Sequence, residues 1–270
     1  MTRFGIGYTI DGLSDQAEGI RTNAISRARR AQPELAITWA ESVDGPTTAL
    51  VDASTTADSV VVGPRGMSRA RGVLMGSVSL QVSARAHCPV VVVHKQLVAA
   101  VGAPVVVGID GSAASTNAIA YAFEQARSRG AALTVVHTWG MDLVEGASAS
   151  ERWTVDWQAF AQEEKDLVAT SIAGWQERYP DVAVRQHDVR ALPVQTLVRQ
   201  SEDACLVVVG TRGRGGFGGL LLGSVSQGVM HGAGCPVVIV HGPSGIESDG
   251  DDEDTTYPRL VLVPTGHGAR

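Results

Sequence analysis

Glycine and serine recur twice in this chain with the spacing Gly-x-x-Gly, nine residues, Gly-Ser, each time directly after a run of valines. The recurring residues are Gly63, Gly66, Gly76 and Ser77 in the first segment, and Gly210, Gly213, Gly223 and Ser224 in the second. A loop without side chains brings backbone amides against phosphate and ribose oxygens at distances that a β-carbon would block. We therefore interpret both segments as nucleotide-binding loops.

A short helix is predicted directly after the second loop, over residues 224–231. The first amides of a helix lack intrahelical partners, and the helix dipole is positive at that end, so an anion is favoured there. The hydroxyl groups of Ser224 and Ser226 add donors, and a hydrogen bond to a charged group is worth about 1.5–3 kcal/mol. Ser224 would also cap the helix in an empty site, and the sequence leaves both roles open.

Asp110 follows a predicted buried strand and precedes Gly111 and Ser112. A carboxylate at such a place meets the ribose or the adenine of a nucleotide, or supplies an oxygen to a magnesium ion. The alternative is that Asp110 caps the helix that follows, and the sequence weighs the two equally. Asp110 is therefore the candidate metal ligand and a candidate nucleotide contact.

The elements that must position these residues form an internal repeat. An offset of 147 residues, the difference between 210 and 63, aligns residues 33–94 with residues 180–241 without a gap. Roughly four residues in ten are identical, as expected of a duplicated domain. We predict a first domain over residues 1–96 and a second over residues 103–243.

The first domain is predicted to be a shortened copy of the second. A strand over residues 4–10, followed by Asp11 and Gly12, and a helix over residues 14–30 precede the aligned segment. One strand and one helix of the second domain then have no counterpart in the first.

A tail over residues 244–270 follows the second domain. It begins with an acidic linker, and residues 259–264 are predicted to form a strand. This strand either returns to the first domain, whose depleted sheet has an open edge, or belongs to a disordered tail.

In the second domain, valine-rich runs without polar alternation alternate with segments of helical periodicity. The predicted strands cover residues 105–109, 133–137, 182–185, 206–209 and 237–240. Continuous apolar strands are covered by helices on both faces. With right-handed crossovers, this order predicts an α/β fold with a doubly wound parallel sheet in each domain, which binds ligands at the carboxyl ends of its strands.

Composition and charge exclude several classes of protein. The net charge of −6 is unlike that of a nucleic-acid binder, which needs a basic face. The most apolar window contains a lysine, a glutamine and two prolines, so we predict no membrane span. The N-terminus lacks a basic segment followed by an apolar one, so we expect a cytoplasmic location. Cys88 and Cys235 occupy equivalent repeat positions and are interpreted as small buried residues.

Known catalytic patterns are absent from the sequence. No Gly-x-x-x-x-Gly-Lys-Ser/Thr loop occurs, and Gly-x-Gly-x-x-Gly does not follow the first strand. Ser226 is preceded two positions earlier by Ser224 rather than by glycine, which excludes the nucleophile elbow of hydrolases. No histidine pair has the ligand spacing for zinc, and no base accompanies a nucleophile. We therefore predict no catalytic residue and no enzyme.

Residues 210–226, with Cys235, Pro236 and the valine strand behind them, resemble the loop region of ATP-binding universal stress proteins. Residues 107–112 match the opening strand of that family. The resemblance covers the whole second half and, less completely, the first, so the chain is similar to a tandem universal stress protein. It implies two Rossmann-like domains of the adenine nucleotide alpha hydrolase-like type, with ATP as the ligand and magnesium as a candidate companion ion.

Carried over residue by residue, the resemblance implies a nucleotide site in each half. In the second half Asp110 would lie near the nucleotide, and Thr138 and Val209 would border the adenine. The ribose and the phosphates would be held by Gly210, Gly213, Gly223, Ser224, Val225 and Ser226. The matching residues in the first half are Gly63, Gly66, Gly76, Ser77, Val78 and Ser79. No counterpart of Thr138 exists there, so we expect the first site to be weak or empty.

The resemblance also implies a function, that of an adenine-nucleotide-dependent sensor or regulator in stress survival that acts on a regulatory protein partner. Domains of this family pair through the edge strand after the glycine loop, so residues 90–93 and 237–240 would pair the two halves. A homodimer is a further candidate. Two alternatives stay open: a slow ATPase or nucleotidyl-transfer enzyme, and a dimerising scaffold with inactive sites.

Overall fold

The computed structural model describes residues 10–42, 44–64, 75–93, 100–139, 157–213, 222–242 and 261–262. Its helices are α1 (Ile10–Ala31), α2 (Pro46–Ala53), α3 (Ser77–Arg85), α4 (Ala113–Arg129), α5 (Trp157–Arg178), α6 (Pro193–Ser201) and α7 (Ser224–Gly232). Its strands are β1 (Thr38–Trp39), β2 (Val60–Val62), β3 (Val90–Val92), β4 (Val105–Ile109), β5 (Leu133–Thr138), β6 (Val184–Val189), β7 (Leu206–Gly210), β8 (Val237–Val240) and β9 (Val261–Leu262). Of the helices in these ranges, none combines the length and the hydropathy needed to cross a bilayer.

Seven of the strands form one sheet in the order β2-β3-β8-β7-β4-β5-β6. All neighbours run parallel except β3 and β8, which are antiparallel. Helices cover the central strands on both faces, as their uninterrupted valine runs predict. The prediction of an α/β fold built on doubly wound parallel strands is therefore confirmed.

Each face of the sheet has its own hydrophobic core. On one face, α2, α3, α6 and α7 pack against strand residues such as Val207 and Ile239. On the other face, α4 and α5 pack around Phe123, which is fully buried and stacks with Trp175 at a centroid distance of 6.3 Å. Trp175 of α5 thus contributes to this core.

The sheet reverses its direction of winding between β4 and β7. From β4 the chain continues to β5 and β6 on one side, and it then returns to β7 and β8 on the other. Crossover connections leave a crevice at such a point, because the loops after the two strands turn away from each other. Because β4 and β7 are neighbouring strands, the residues that directly follow them lie side by side at this point of the carboxyl edge of the sheet.

The first half contributes β2 and β3 to this same sheet. Residues of β3 pair with residues of β8, with Val91 opposite Val238 at the centre. The shared strands are the two valine runs that the sequence analysis named as the contact between the halves. The remaining first-half strand, β1, lies in a separate two-stranded sheet with β9 from the tail, and these strands run parallel.

One element of the first half differs from its prediction. Helix α1 begins at Ile10, so Asp11 and Gly12 lie in its first turn rather than after a strand. Apolar residues at helical spacing, Ile10, Leu13 and Ala17, extend the helix back into the predicted strand. Residues 4–9 of that strand, the linker at 94–99 and most of the tail lie outside the described residues. The domain boundaries remain predictions.

Candidate functional site

The turn between β4 and α4 presents Asp110 at the winding reversal. Gly111 has φ +76, a conformation that glycine adopts readily, and Ser112 is the N-cap of α4, accepting a hydrogen bond from the Ser115 amide over 3.2 Å. Asp110 Oδ1 accepts from the Ser112 amide over 3.0 Å. The capping role that the sequence left open for Asp110 thus belongs to Ser112, and Asp110 stabilises the turn before the helix.

The second glycine loop passes directly over this turn. A β-carbon on Gly213 would overlap Oδ2 of Asp110, and one on Gly210 would lie 2.9 Å from Ala114 Cβ and 3.0 Å from the Ala114 carbonyl carbon. Gly210 allows the loop to approach the backbone of α4 this closely, whereas a side chain at position 213 would displace the Asp110 carboxylate. The Ser112 hydroxyl also donates to the Arg212 carbonyl oxygen over 3.4 Å. The loop and the turn therefore pack directly against each other at the winding reversal, where a crevice is expected.

Helix α7 opens toward the loop, as predicted. Its N-cap is Gly223, with no side-chain capping bond, and the first intrahelical bond joins the Gln227 amide to the Gly223 carbonyl over 3.0 Å. The capping role considered for Ser224 is wrong, because Ser224 is the first helical residue and is exposed. The first turn of α7 carries no acidic residue, which suits an anion.

Ser226 has a different environment from Ser224. It is 2% exposed, and its hydroxyl lies 2.9 Å from the carbonyl oxygens of both Gly210 and Thr211. The Gly223 amide donates to the same Thr211 carbonyl over 2.8 Å. The single hydroxyl hydrogen of Ser226 is therefore used to hold the loop against the helix. Val225, the residue before it, is half-buried.

The two residues expected to border adenine occupy different positions. Thr138 is the last residue of β5 and directly follows His137, whose partner in β4 is Ile109, so Thr138 lies beside Asp110 at the sheet edge. The Val209 side chain is 3% exposed and belongs to the core on the α6 and α7 face.

A buried pair that the sequence analysis missed lies beneath the crevice. His137 is 3% exposed, and its Nδ1 is 2.9 Å from the Ile109 carbonyl oxygen. Its Nε2 is 2.5 Å from Oε2 of Glu164 on α5. The available signal was a histidine within a mostly apolar strand. Its partners lie 28 and 27 residues away, so spacing alone does not identify them.

The described ends of the first glycine loop repeat hydrogen bonds of the second. The Ser79 hydroxyl donates to the Gly63 carbonyl over 2.6 Å, and the Gly76 amide donates to the Pro64 carbonyl over 2.7 Å. Gly76 is the N-cap of α3, followed by the exposed Ser77 and the half-buried Val78. Gly66 lies outside the described residues.

Metal binding at the crevice would depend on the nucleotide. Within the described ranges, no three His, Cys, Asp or Glu side chains are grouped to hold an ion. Asp110 is one carboxylate beside an exposed helix terminus, so a magnesium ion there would take most of its oxygen ligands from phosphates and water. The residues fit magnesium that arrives with a nucleotide.

The cysteines have the structural role expected of them. Cys88 and Cys235 are 8% and 4% exposed, and neither is in a disulfide. Burial raises the pKa of the Cys235 thiol to about 12, so this group is a thiol at neutral pH.

Comparison with known proteins finds relatives that match most of this chain. Universal stress protein Rv2623 of Mycobacterium tuberculosis is 44% identical over 193 residues, which cover 70% of this chain and 63% of the relative. Universal stress protein Rv2005c of the same organism is 40% identical over 232 residues, 83% of this chain and 77% of the relative. The chain thus spans less than two thirds of the length of Rv2623.

The fold has a counterpart among solved structures. A crystal structure of a universal stress protein from Archaeoglobus fulgidus superposes with a TM-score of 0.64 at 22% identity, covering 90% of this chain and 82% of that one. The model of the Universal stress protein family matches residues 9–94 and again residues 103–241, once in each half. The chain belongs to the universal stress protein family, with two tandem copies of its domain.

Proposed function

We propose that this protein binds ATP in the crevice of the second half and acts as a nucleotide-dependent regulator in a stress response. The observation that carries the proposal is the convergence of three elements: the Asp110 turn, the glycine loop through Gly213, and the first turn of α7. Amides without intrahelical partners and a positive helix end favour phosphate. The adenine is proposed to lie against Thr138, the last residue of β5. The preference for ATP comes from the resemblance of the loop.

Within the site, the structure supports a division of roles. Gly210 and Gly213 supply close backbone approach, and Ser224, exposed at the first helical position, is the hydroxyl available to a phosphate. Ser226 maintains the loop through its bonds to two carbonyls. Asp110 is proposed to contact the ribose or a magnesium ion that accompanies the phosphates.

The test is a calorimetric titration with ATP, repeated with ADP and AMP, on the wild type and on two matched variants. Gly213→Val places a side chain against Asp110 and is expected to abolish binding, whereas Gly66→Val changes the equivalent loop of the first half and leaves tight binding intact. Equal loss in both variants contradicts the assignment to the second half, and no binding by the wild type contradicts the function.

A slow ATPase is the second candidate, because Asp110 places a carboxylate at the loop. Phosphate release under saturating Mg-ATP separates the two. A regulator leaves its ATP unhydrolysed over many minutes, whereas hydrolysis of more than a few ATP molecules per minute favours the enzyme. The scaffold alternative is favoured if the protein binds none of the three nucleotides.

A further inference from the structure

The peptide group that carries Asp110 is held by side chains at both of its edges. Its carbonyl oxygen, on Ile109, accepts from His137 Nδ1 over 2.9 Å. Its N–H, on Asp110, donates to the Ser115 hydroxyl over 3.3 Å. Because a peptide group is planar, bonds at both edges fix its rotation. That rotation sets the direction in which the Asp110 side chain leaves the backbone.

The protons of His137 follow from its partners. A carbonyl oxygen only accepts, so Nδ1 carries a hydrogen. The 2.5 Å contact between Nε2 and Glu164 then contains one proton, held by the ring or by the carboxyl group. In either state, Glu164 fixes the ring plane and keeps Nδ1–H directed at the Ile109 carbonyl.

A pair of this kind is costly to bury, and an apolar pair of similar volume is often as stable or more so. Its place in the fold suggests a reason for it. His137 pairs with Ile109, the residue before Asp110, and it directly precedes Thr138. His137 is therefore adjacent to both residues that are proposed to border the crevice, Asp110 and Thr138. Glu164 joins this edge of the sheet to α5.

We propose that His137 is a positioning residue of the nucleotide site, which acts by donating Nδ1–H to the peptide that presents Asp110 to the glycine loop. Glu164 holds the imidazole in that orientation. The inference rests on the proposed function, because it assigns His137 a role in nucleotide affinity rather than in stability alone.

Two substitutions at position 137 separate positioning from packing. His137→Asn keeps an N–H near the place of Nδ1, whereas His137→Gln reaches Glu164 but loses the donor to Ile109. We expect Gln to weaken ATP binding about tenfold, the effect of one lost hydrogen bond, and Asn to recover part of that loss. Both shorten or reshape a buried side chain, so their unfolding free energies are measured alongside. Equal affinities for the two variants overturn the proposal.

A double-mutant cycle with Asp110→Ala tests whether His137 acts through Asp110. We expect His137→Gln to change ATP affinity about tenfold in the wild-type background and by less than about twofold in the Asp110→Ala background. The same factor in both backgrounds overturns the proposal. If Asp110→Ala binds ATP as tightly as the wild type, positioning through Asp110 is wrong while nucleotide binding stands. If the wild type binds no adenine nucleotide, both proposals fail.

Hydrogen exchange of the protein without nucleotide gives an independent readout. The Asp110 and Ser112 amides are expected to exchange faster in His137→Gln than in His137→Asn, because the peptide and the turn it begins are released. Glu164→Ala is expected to accelerate the same amides, and Glu163→Ala, at an exposed neighbouring position, serves as its control. Unchanged exchange in both His137→Gln and Glu164→Ala overturns the positioning role.

Discussion

The described ends of the two glycine loops have matching hydrogen bonds and different surroundings. In each copy the hydroxyl of a buried serine donates to the carbonyl oxygen of the first glycine of the loop. Ser79 donates to Gly63, and Ser226 donates to Gly210. In the second half the loop faces Asp110 across the winding reversal. In the first half, β2 is the outermost strand of the seven-stranded sheet, so the strand that would supply this opposite wall is not among its described neighbours.

The difference separates what the motif builds from what the fold builds. The described ends of the loop are held in a similar way in either copy, because the hydrogen bonds of Ser79 and Ser226 are local to the loop and its helix. The crevice needs two further strand ends, which β4 and β5 supply only to the second half. We therefore expect such a loop to bind a nucleotide only where further strand ends complete a crevice, and the weak or empty first site stays a prediction.

The largest expected effect tests whether the loops are equivalent as structures. Ser226→Ala and Ser79→Ala each remove a buried hydroxyl and leave carbonyl oxygens short of a donor, at a cost of about 1–3 kcal/mol. We expect similar losses in the two variants, measured as free energies of unfolding in urea. ATP affinity should fall only in Ser226→Ala.

A much smaller loss in Ser79→Ala would show that the first loop does not depend on this bond, and the likeness of the copies would then be limited to their sequences. Ser77→Ala, at an exposed position, is the control for both and should change the free energy of unfolding little.

The sequence predicted the second half well and the contacts between distant elements poorly. Strands β4 and β8 have the predicted bounds, and Gly223 precedes the predicted helix, because valine runs and glycine spacing are local signals. The His137–Glu164 pair joins a strand to a helix, and it depends on packing that no spacing rule encodes. The start of α1 was misjudged because a short apolar run suits a strand and a helix equally.

The second prediction concerns the boundary between the halves. His241, at the end of β8, lies with His87 and Cys88 of the first half in a cleft of about 740 Å³. Burial, with a smaller contribution from His87, lowers the pKa of His241. The unfolded chain therefore binds this proton more readily, near pH 6.5 and below, than the folded chain does.

The free energy of unfolding should accordingly decrease as the pH falls below about 6.5, and His241 should contribute no pH dependence well above that value. His241→Asn is expected to flatten the profile below about pH 6.5, measured by urea unfolding at each pH. His231→Asn, at an exposed position on α7, is the control for exchanging a histidine for an asparagine. An unchanged slope in His241→Asn would contradict a buried neutral imidazole at this boundary.

The tail strand β9 extends the comparison of the two halves, because it pairs with the same repeat positions that β5 pairs with. Subtracting the repeat offset from two residues of β6, Arg185 and Gln186, gives Thr38 and Trp39 of β1. In the second half these β6 residues pair in parallel with Thr134 and Val135 of β5, and in the first half the β1 residues pair in parallel with Val261 and Leu262 of β9. We therefore propose that β9 takes the place beside β1 that β5 takes beside β6.

The smallest expected effect comes from removing this strand. Deletion of residues 244–270 should lower the free energy of unfolding by less than about 1 kcal/mol, because the ladder between β1 and β9 is only two residues long. The more sensitive measurement is hydrogen exchange at Thr38 and Trp39, which should accelerate once β1 loses its neighbour. Deletion of residues 265–270 alone keeps β9 and should leave both amides unchanged. If the long deletion also leaves them unchanged, β9 does not replace β5, and the first half lacks that strand altogether.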